Sequence, residues 1–405
     1  MASFDEIVNS LRHPQGDDQH PLPRVTLGAM NKDGSFHYAK AFGEESNDNM
    51  ETDAVHLIAS CTKLVTTVAV MQCVEKGQLD LDANIAKILP EWENPQILTG
   101  FDENSEPIFR PSTKPITLRL DILTGSSFIR HLLTHSSGMT YVGMEPLLTR
   151  YAELPTVQPR NPHSVKEKFY QVLVFEPGSR WIYSPGVDWA GLMVERITSI
   201  RLGDYMKRHI FDVVSVKDAT FHLETREDMR ARLANQWERV GGSLRIPKTP
   251  LWPAQINEDL GGGGLYATVN ELLKIYQGIM NEKLLRQETI KTMFQPHLEN
   301  TTGLDNQDDY STSHRYSIFN AVPPDVPVSF GLGGLINLAA IPSRRGAHSL
   351  TWSGMPNCYW WVDMEKGVAG VYLSQMVPSG DQQAIKLLTE FEKFVYKSLE
   401  NLNDQ

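Results

Sequence analysis

A serine and a lysine stand three residues apart in the stretch HLIASCTKLVTTVAVMQCVEKGQLDLD, residues 56–82. Positions three apart on a helix lie on one face, so Ser60 and Lys63 can touch. The stretch predicts a buried helix that begins near Ser60 and stops at Gly77. A helix start stabilises negative charge on a serine oxygen and on a carbonyl that it attacks. The pair therefore indicates a nucleophilic serine, although serine is also a common N-cap residue.

A tyrosine further along the chain could supply the base for such a serine. Tyr183 follows a Pro-Gly turn in FEPGSRWIYSPGVDWAG and lies directly ahead of a predicted helix. The ammonium of Lys63 would stabilise its phenolate if the two side chains met in the fold. We therefore expect Tyr183 to exchange a proton with Ser60.

A predicted strand near the C-terminus could face the same serine. In SLTWSGMPNCYWWVD, small residues at Ser353 and Gly354 would let a substrate approach the backbone closely beside Trp352. The next backbone N–H, that of Met355, is a candidate oxyanion donor together with the N–H of Ser60.

The two chain ends predict strands, and the middle predicts helices and loops. RVTLGAM and FHYAKAFG flank the turn signal NKDGS, which predicts a hairpin, and three apolar runs near the C-terminus precede a helical pattern in DQQAIKLLTEFEKFVYKSLENL. We expect one α+β catalytic domain over 1–405. Its antiparallel sheet lobe would span about 24–115 and 254–405, with a mainly helical lobe inserted at about 116–253 and a ligand cleft between them.

Composition limits the partners of the chain. A net charge of -11 over 405 residues argues against nucleic acid or an anionic membrane as partner. No apolar run has the length of a signal peptide or a membrane span, and three cysteines are too few for a disulfide framework. These features predict a cytoplasmic protein.

Other chemistries are less well supported by the sequence. His131 and His135 have the spacing of metal ligands, but HLLTH lacks the glutamate of a zinc-protease helix. The run DLGGGGLYATV lacks the Gly-Lys-Ser/Thr of a phosphate loop, so we expect its glycines to pack close to the site. No Gly-x-Ser-x-Gly elbow is present. Cys61, next to Ser60, remains an alternative nucleophile.

These elements together resemble a known superfamily. Ser60-Cys61-Thr62-Lys63, Tyr183-Ser184 and Trp352-Ser353-Gly354 are similar, in order and separation, to the three boxes of serine β-lactamases and penicillin-binding proteins. ASCTKLVTTVAVMQCVEKGQLDLD, EWENPQILTGFDE, HLLTHSSGMTYV, WIYSPGVDWAGLMVERIT, SFGLGGLI and SLTWSGMPN resemble most the class C branch, and within it the fungal lovastatin-type acyltransferases and related esterases. The resemblance runs from about residue 25 to the C-terminus and implies a β-lactamase/transpeptidase-like fold.

The chain departs from the β-lactamase pattern at three places. Pro185 replaces the asparagine of the second box, and Trp352 replaces the lysine of the third, which removes an anion site and adds an apolar wall. The site should therefore prefer neutral acyl groups or esters to β-lactams. Relatives run nearly without interruption where this chain carries Leu120 to Arg130, which is either a surface loop or a gene-model artefact.

The resemblance implies acyl transfer through an acyl-serine, with Ser60, Lys63 and Tyr183 as catalytic residues and no cofactor or metal. An acyl group would pass from a thioester or ester to an alcohol of a secondary metabolite, with an acyl carrier protein or polyketide synthase as the partner that holds the donor. Aromatic side chains would line the alcohol site, namely Tyr141, Trp181, Trp352 and Trp361. The alternative is a carboxylesterase or lactonase with the same residues. A non-catalytic binding module is disfavoured because the three catalytic residues are retained.

Overall fold

The computed structural model describes residues 3–14, 20–43, 52–81, 83–116, 131–157, 164–253, 257–305 and 311–403. The segment Leu120 to Arg130, which interrupts the family pattern, lies outside these residues. The strands are β1 (Val25–Asn31), β2 (His37–Phe42), β3 (His56–Leu57), β4 (Gln96–Phe101), β5 (Pro107–Pro111), β6 (Ala219–Thr220), β7 (Trp237–Val240), β8 (Ser243–Arg245), β9 (Tyr266–Ala267), β10 (Val328–Phe330), β11 (Leu335–Asn337), β12 (Leu350–Gly354), β13 (Cys358–Asp363), β14 (Val368–Leu373) and β15 (Met376–Val377).

The helices within these ranges are α1 (Phe4–Arg12), α2 (Thr62–Glu75), α3 (Pro146–Ala152), α4 (Val165–Lys168), α5 (Gly186–Thr198), α6 (Leu202–Met206), α7 (Glu227–Arg230), α8 (Val269–Met280), α9 (Gln287–Met293), α10 (Thr312–Phe319) and α11 (Gln382–Asn403). Short helical turns lie at Ala59–Cys61, Ile85–Lys87, Pro90–Trp92, Lys207–Phe211 and Leu223–Thr225. None of the helices in the described ranges combines the length and the apolar character that crossing a bilayer requires.

A seven-stranded antiparallel sheet joins the two chain ends, in the order β10-β11-β12-β13-β14-β1-β2. The hairpin β1–β2 is the one that the turn signal NKDGS predicts, and β12, β13 and β14 follow the predicted C-terminal strands. Strand β1 pairs with β14, with Thr26 opposite Leu373, so the first and last strands of this sheet in chain order lie side by side. The prediction of a sheet built from both ends is confirmed.

Helices cover both faces of this sheet. On one face α8 packs on β1 and β14, and a side chain at Gly28 would meet Val269 at 2.6 Å, so the glycine permits this close approach. On the other face the closing helix α11 and α1 pack together. Phe4 of α1 stacks on Phe394 of α11, with ring centroids 4.5 Å apart. The sheet therefore separates two apolar layers, and only one of them can face the site.

The helix that carries Ser60 and Lys63 runs through the centre of the first layer. In α2 every residue from Thr62 to Cys73 is buried, which is the pattern of a helix enclosed on all sides. Gly77, at φ +69°, ends it as the sequence predicts. The buried side-chain amide of Gln72 donates hydrogen bonds to the carbonyls of His209 and Leu284, so its N–H donors are satisfied although the helix is enclosed.

The predicted division into two lobes stays a prediction. The hairpin β4–β5 falls within the proposed sheet lobe, but Leu98 donates to the carbonyl of Leu173 (2.8 Å), and Leu173 to that of Gln96 (2.9 Å). These bonds attach the hairpin to the inserted segment. The boundary at about residue 115 therefore does not coincide with a break in packing.

A buried ion cluster fastens the C-terminal helix to the loop ahead of β12. Glu392 of α11 is fully buried and accepts from Arg344 Nε (2.8 Å) and from Arg345 Nη2 (2.6 Å). Burial opposes the charge of Glu392, but the two guanidinium groups outweigh that effect, and the pKa of this carboxyl is lowered. Because its folded-state pKa is depressed, its contribution to stability is present above the ordinary carboxyl pKa and is lost as the pH falls through the lowered value.

We expect Glu392→Gln to lower the free energy of unfolding by about 3–5 kcal/mol, because it leaves two buried cations without their counter-charge. Urea unfolding measures this loss. Glu390→Gln is the matched control, since Glu390 pairs with Lys393 on the partly exposed face of the same helix and should change stability by at most about 0.5 kcal/mol. Equal stability of the two variants would contradict this account of the cluster.

Candidate active site

Ser60 lies on one turn of helix, Ala59–Cys61, that leads directly into α2. The residue before it, Ala59, has φ +44°, a left-handed conformation that costs a non-glycine residue energy. Strand β12 presses against this turn. A side chain at Gly354 would lie 2.3 Å from the carbonyl oxygen of Ile58, so only glycine permits the contact. Ser60 is thereby held at the start of a helix, half-buried, on the wall of a cavity.

Lys63 is buried beside Ser60 and uses all three of its N–H groups. Its Nζ donates to Ser60 Oγ (3.2 Å), to the hydroxyl of Tyr141 (3.2 Å) and to the carbonyl oxygen of Gly262 (2.7 Å). An ammonium has three donors and no acceptor. The arrangement therefore suits a protonated lysine that acts as a fixed cation rather than as a base.

Tyr183, three residues ahead of α5, contacts the same serine oxygen. Its hydroxyl lies 2.5 Å from Ser60 Oγ, and Lys63 Nζ lies 4.9 Å from the centre of its ring. The ring packs against His135, with centroids 4.8 Å apart, and against Trp352, at 5.1 Å. The structure thus brings together the three side chains that the sequence predicts to be catalytic.

A buried carboxylate that sequence analysis missed completes this group. Asp188, in the first turn of α5, is 2% exposed and accepts from the hydroxyl of Tyr141 (3.3 Å) and from the N–H of Gly262 (3.0 Å). Burial and the carboxylate of Asp188 raise the pKa of Tyr141 well above its ordinary value, so this tyrosine stays protonated. Tyr141 is therefore the poorer candidate for the base, and the role of Tyr183 as the base stays a prediction.

The glycine run at 261–264 packs against the site, as the sequence predicts. A side chain at Gly262 would lie 2.0 Å from Asp188 Oδ2, so the bond from its N–H to that carboxylate depends on a glycine. The neighbouring carbonyl of Gly261 accepts from Thr66 of α2 (2.7 Å). The run therefore connects α2 to α5.

The cavity in front of Ser60 has a volume of about 420 Å³. Tyr141, Trp352, Ser353 and Met355 line it, as the sequence predicts, and further apolar lining comes from Met144, Phe169, Trp252 and Ile318. The side of α10 closes it, where Ser353 Oγ donates to the carbonyl of Ser317 (2.5 Å). No sequence pattern indicated the part that α10 plays. The mostly apolar lining can shield a bound group from water.

The cavity also holds a cation that sequence analysis missed. Lys168, at the end of α4, lines it with its Nζ 4.3 Å from the centre of a ring of Trp252. Burial lowers the pKa of Lys168, against the attraction of Asp188. Trp352 does add the apolar wall that we expected, but the site is not without a positive charge.

Three residues predicted to contact substrate lie elsewhere. Trp361 is fully buried on the far face of the sheet, across Gly370 and against Phe391 of α11 (5.6 Å), because successive strand residues point to opposite faces. Trp181 is 1% exposed and packs behind Trp352 without lining the cavity. Gly354 lets β12 pack closely against the turn that carries Ser60, and it does not line the cavity.

The predicted oxyanion donors share the cavity. Ser60 and Met355 both line it, and the contact of Gly354 with Ile58 brings the two chain segments together just before each of these residues. Their backbone N–H groups are therefore the natural pair to hold an oxyanion, and this role stays a prediction.

The alternative chemistries find less support in the structure. Cys61 is 1% exposed and its Sγ faces Gly354 rather than the cavity, and burial raises its thiol pKa well above the ordinary value. His135 is also buried, which lowers its pKa well below the ordinary value, and its Nδ1 contacts the hydroxyl of Ser184 (3.0 Å). In the part of the chain that the structure describes, no three His, Cys, Asp or Glu side chains cluster as metal ligands would.

Comparisons with known proteins identify similar chains and structures. ML-236A carboxylate methylbutanoyltransferase of Penicillium citrinum is 31% identical over 395 residues, which cover 94% of this chain and 92% of the relative. Lovastatin esterase of Penicillium rubens is 33% identical over 379 residues, 89% of this chain and 90% of the relative. Unliganded simvastatin synthase from Aspergillus terreus superimposes with a TM-score of 0.84 at 30% identity, over 98% of this chain and 99% of that one.

The family model described as Beta-lactamase matches residues 25–390, which is most of the chain. The fold class and the family that the sequence predicts are both confirmed by these matches. The chain belongs to the beta-lactamase family, and its relatives there include acyltransferases and an esterase.

Proposed function

We propose that this protein moves a short acyl group from a thioester or ester to the hydroxyl of a bulky acceptor, through an ester on Ser60. One observation carries the proposal: Ser60 Oγ lies within hydrogen-bond reach of both the Lys63 ammonium and the Tyr183 hydroxyl. A weak nucleophile needs such a partner to remove its proton. The activities of the relatives, a methylbutanoyltransferase and an esterase, belong to the same class of chemistry.

Acylation begins as Tyr183, in its phenolate form beside Lys63, takes the proton of Ser60. The Ser60 oxygen then forms a bond to the carbonyl carbon of the donor, and the N–H groups of Ser60 and Met355 stabilise the negative oxygen that results. When this intermediate collapses, the bond from the carbonyl carbon to the donor sulfur or oxygen breaks. Tyr183 returns the proton to the leaving group, and the acyl group remains on Ser60.

Deacylation repeats these steps in reverse with a new nucleophile. Tyr183 removes a proton from the acceptor hydroxyl, whose oxygen forms a bond to the carbonyl carbon of the acyl-serine. The bond from that carbon to Ser60 Oγ then breaks, and Tyr183 passes the proton to Ser60. Because Lys63 keeps its proton throughout, its charge stabilises both the phenolate and the developing oxyanion. This chemistry needs no cofactor.

Tyr183→Phe should slow formation of the acyl-enzyme by about a hundredfold or more, the range for loss of a positioned base. Lys63→Ala should have a similar effect, and the double variant should be little worse than either, since the groups act as a unit. Rapid quenching followed by intact-mass spectrometry measures the rate. Tyr151→Phe, which alters a tyrosine that packs on Phe109 outside the cavity, is the control. Near-normal acylation in a folded Tyr183→Phe would assign the base to another group.

The choice between transfer and hydrolysis depends on how well the cavity holds the acceptor. An apolar wall excludes water, so an acceptor bound beside the acyl-serine has a positional advantage over solvent. Two acceptors named for the relatives are acids, ML-236A carboxylate and monacolin J acid. Lys168 supplies a cation in the cavity that could pair with such a carboxylate. We therefore infer that the acceptor is a bulky hydroxy acid. The family resemblance implies that the thioester or ester donor is held by an acyl carrier protein or a polyketide synthase.

The test is a partition ratio, the amount of new ester over free acid, with a butanoyl thioester and a polycyclic hydroxy acid. Lys168→Met should lower this ratio about tenfold by weakening a charge-assisted contact, and Lys166→Met, on the exposed side of the same helix, should not. With the neutral methyl ester of the acceptor, the wild type, Lys168→Met and Lys166→Met should all give the same partition ratio. If the wild type hydrolyses the thioester rapidly and no hydroxy acid increases the amount of new ester, the second candidate function, an esterase, is favoured. The similarity to lovastatin esterase is the observation that supports this second candidate.

A further inference from the structure

Lys63 and three residues around it close a ring of hydrogen bonds. Lys63 Nζ donates to Tyr141, Tyr141 donates to one oxygen of Asp188, and Gly262 N–H donates to the other oxygen. Lys63 Nζ also donates to the carbonyl of Gly262, which returns the ring to its start. Each donor in the ring faces an acceptor, so the direction of every bond is fixed by the chemistry of the groups.

This ring leaves one N–H of the lysine to point at Ser60. The carbonyl of Gly262 and the hydroxyl of Tyr141 occupy the other two, and Asp188 fixes both of these acceptors from the opposite side. Rotation of the ammonium would break a bond to a buried group, which carries a desolvation cost. The carboxylate also places a negative charge two hydrogen bonds away from the cation, and because both side chains are at most 2% exposed, solvent screens their attraction little.

We propose that Asp188 is a positioning residue that keeps the Lys63 ammonium charged and directed at Ser60, through Tyr141 on one side and Gly262 on the other. The inference rests on the proposed function, since it assigns Lys63 the part of a fixed cation. In this account the hydroxyl of Tyr141 belongs to the catalytic machinery, while its ring forms part of the cavity wall.

Charged and titratable groups reach Asp188 from three elements. Lys63 comes from α2, Tyr141 from the segment ahead of α3, and Lys168 from α4. A change of charge at Asp188 therefore alters the potential at the lysine and, through it, at the phenol of Tyr183. A residue that served packing alone would not produce that effect when its shape is preserved.

The decisive variant is Asp188→Asn, which keeps the shape and an oxygen acceptor but removes the charge. Activity should rise with pH as the base loses its proton and fall as the ammonium loses its own. Loss of a neighbouring negative charge favours the phenolate and disfavours the ammonium, so both limbs of the pH profile of kcat/KM should move to lower pH by about one unit. Acylation at the pH optimum should be roughly tenfold slower, as for loss of one bond to a charged group.

Asp204→Asn makes the same change at an exposed position in the first turn of α6 and should leave both limbs in place. If Asp188→Asn does not fold, Tyr141→Phe decides the question, because it removes one acceptor of Lys63 and should slow acylation about tenfold. The inference would be overturned if folded Asp188→Asn kept both limbs of its kcat/KM pH profile at the wild-type pH. An unchanged acylation rate in Tyr141→Phe would overturn it as well. Failure of the wild type to form an acyl-enzyme would instead reject the proposed function.

Discussion

The burial of the Lys63 ammonium is the constraint on which the rest of the site depends. Removing a cation from water costs several kcal/mol, and a buried lysine keeps its charge only if hydrogen bonds and an opposite charge replace the water. The fold supplies three acceptors, and a carboxylate lies one bond further away at Asp188. Because these groups come from separate segments of the chain, the demand for a charged lysine explains why α2, α5 and the glycine run must pack so closely.

Close packing of this kind is possible only where side chains are absent. Gly262 lets the carboxylate of Asp188 approach the backbone, and Gly354 lets β12 touch the turn that carries the serine. The left-handed conformation of Ala59 belongs to the same set of compromises, since it turns the chain from β3 into the helix within two residues. Other parts of the structure offset the free-energy cost of this local strain, including the buried helix α2 and the ion cluster around Glu392.

Local patterns in the sequence predicted what depends on local geometry. The contact of Ser60 with Lys63 follows from helical spacing, and the β1–β2 hairpin follows from its turn residues. The context of Tyr183 in the sequence marked it as a candidate base, but only the family resemblance indicated that it meets Ser60, because no spacing rule joins residues 123 positions apart. Asp188 went unnoticed for the same reason, although an acid in the otherwise apolar start of a helix is a usable signal. Trp361 was misplaced because strand alternation separates Trp360 from Trp361 but does not tell which face meets the site.

The account is tested most directly by a crystal structure of the protein after reaction with an alkyl fluorophosphonate, whose tetrahedral adduct resembles the intermediate of acyl transfer. We predict a bond from phosphorus to Ser60 Oγ, with the phosphoryl oxygen accepting hydrogen bonds from the backbone N–H groups of Ser60 and Met355. Lys63 Nζ should still donate hydrogen bonds to the Tyr141 hydroxyl and the Gly262 carbonyl. An adduct on Cys61, or a phosphoryl oxygen that points away from both N–H groups, would contradict the account.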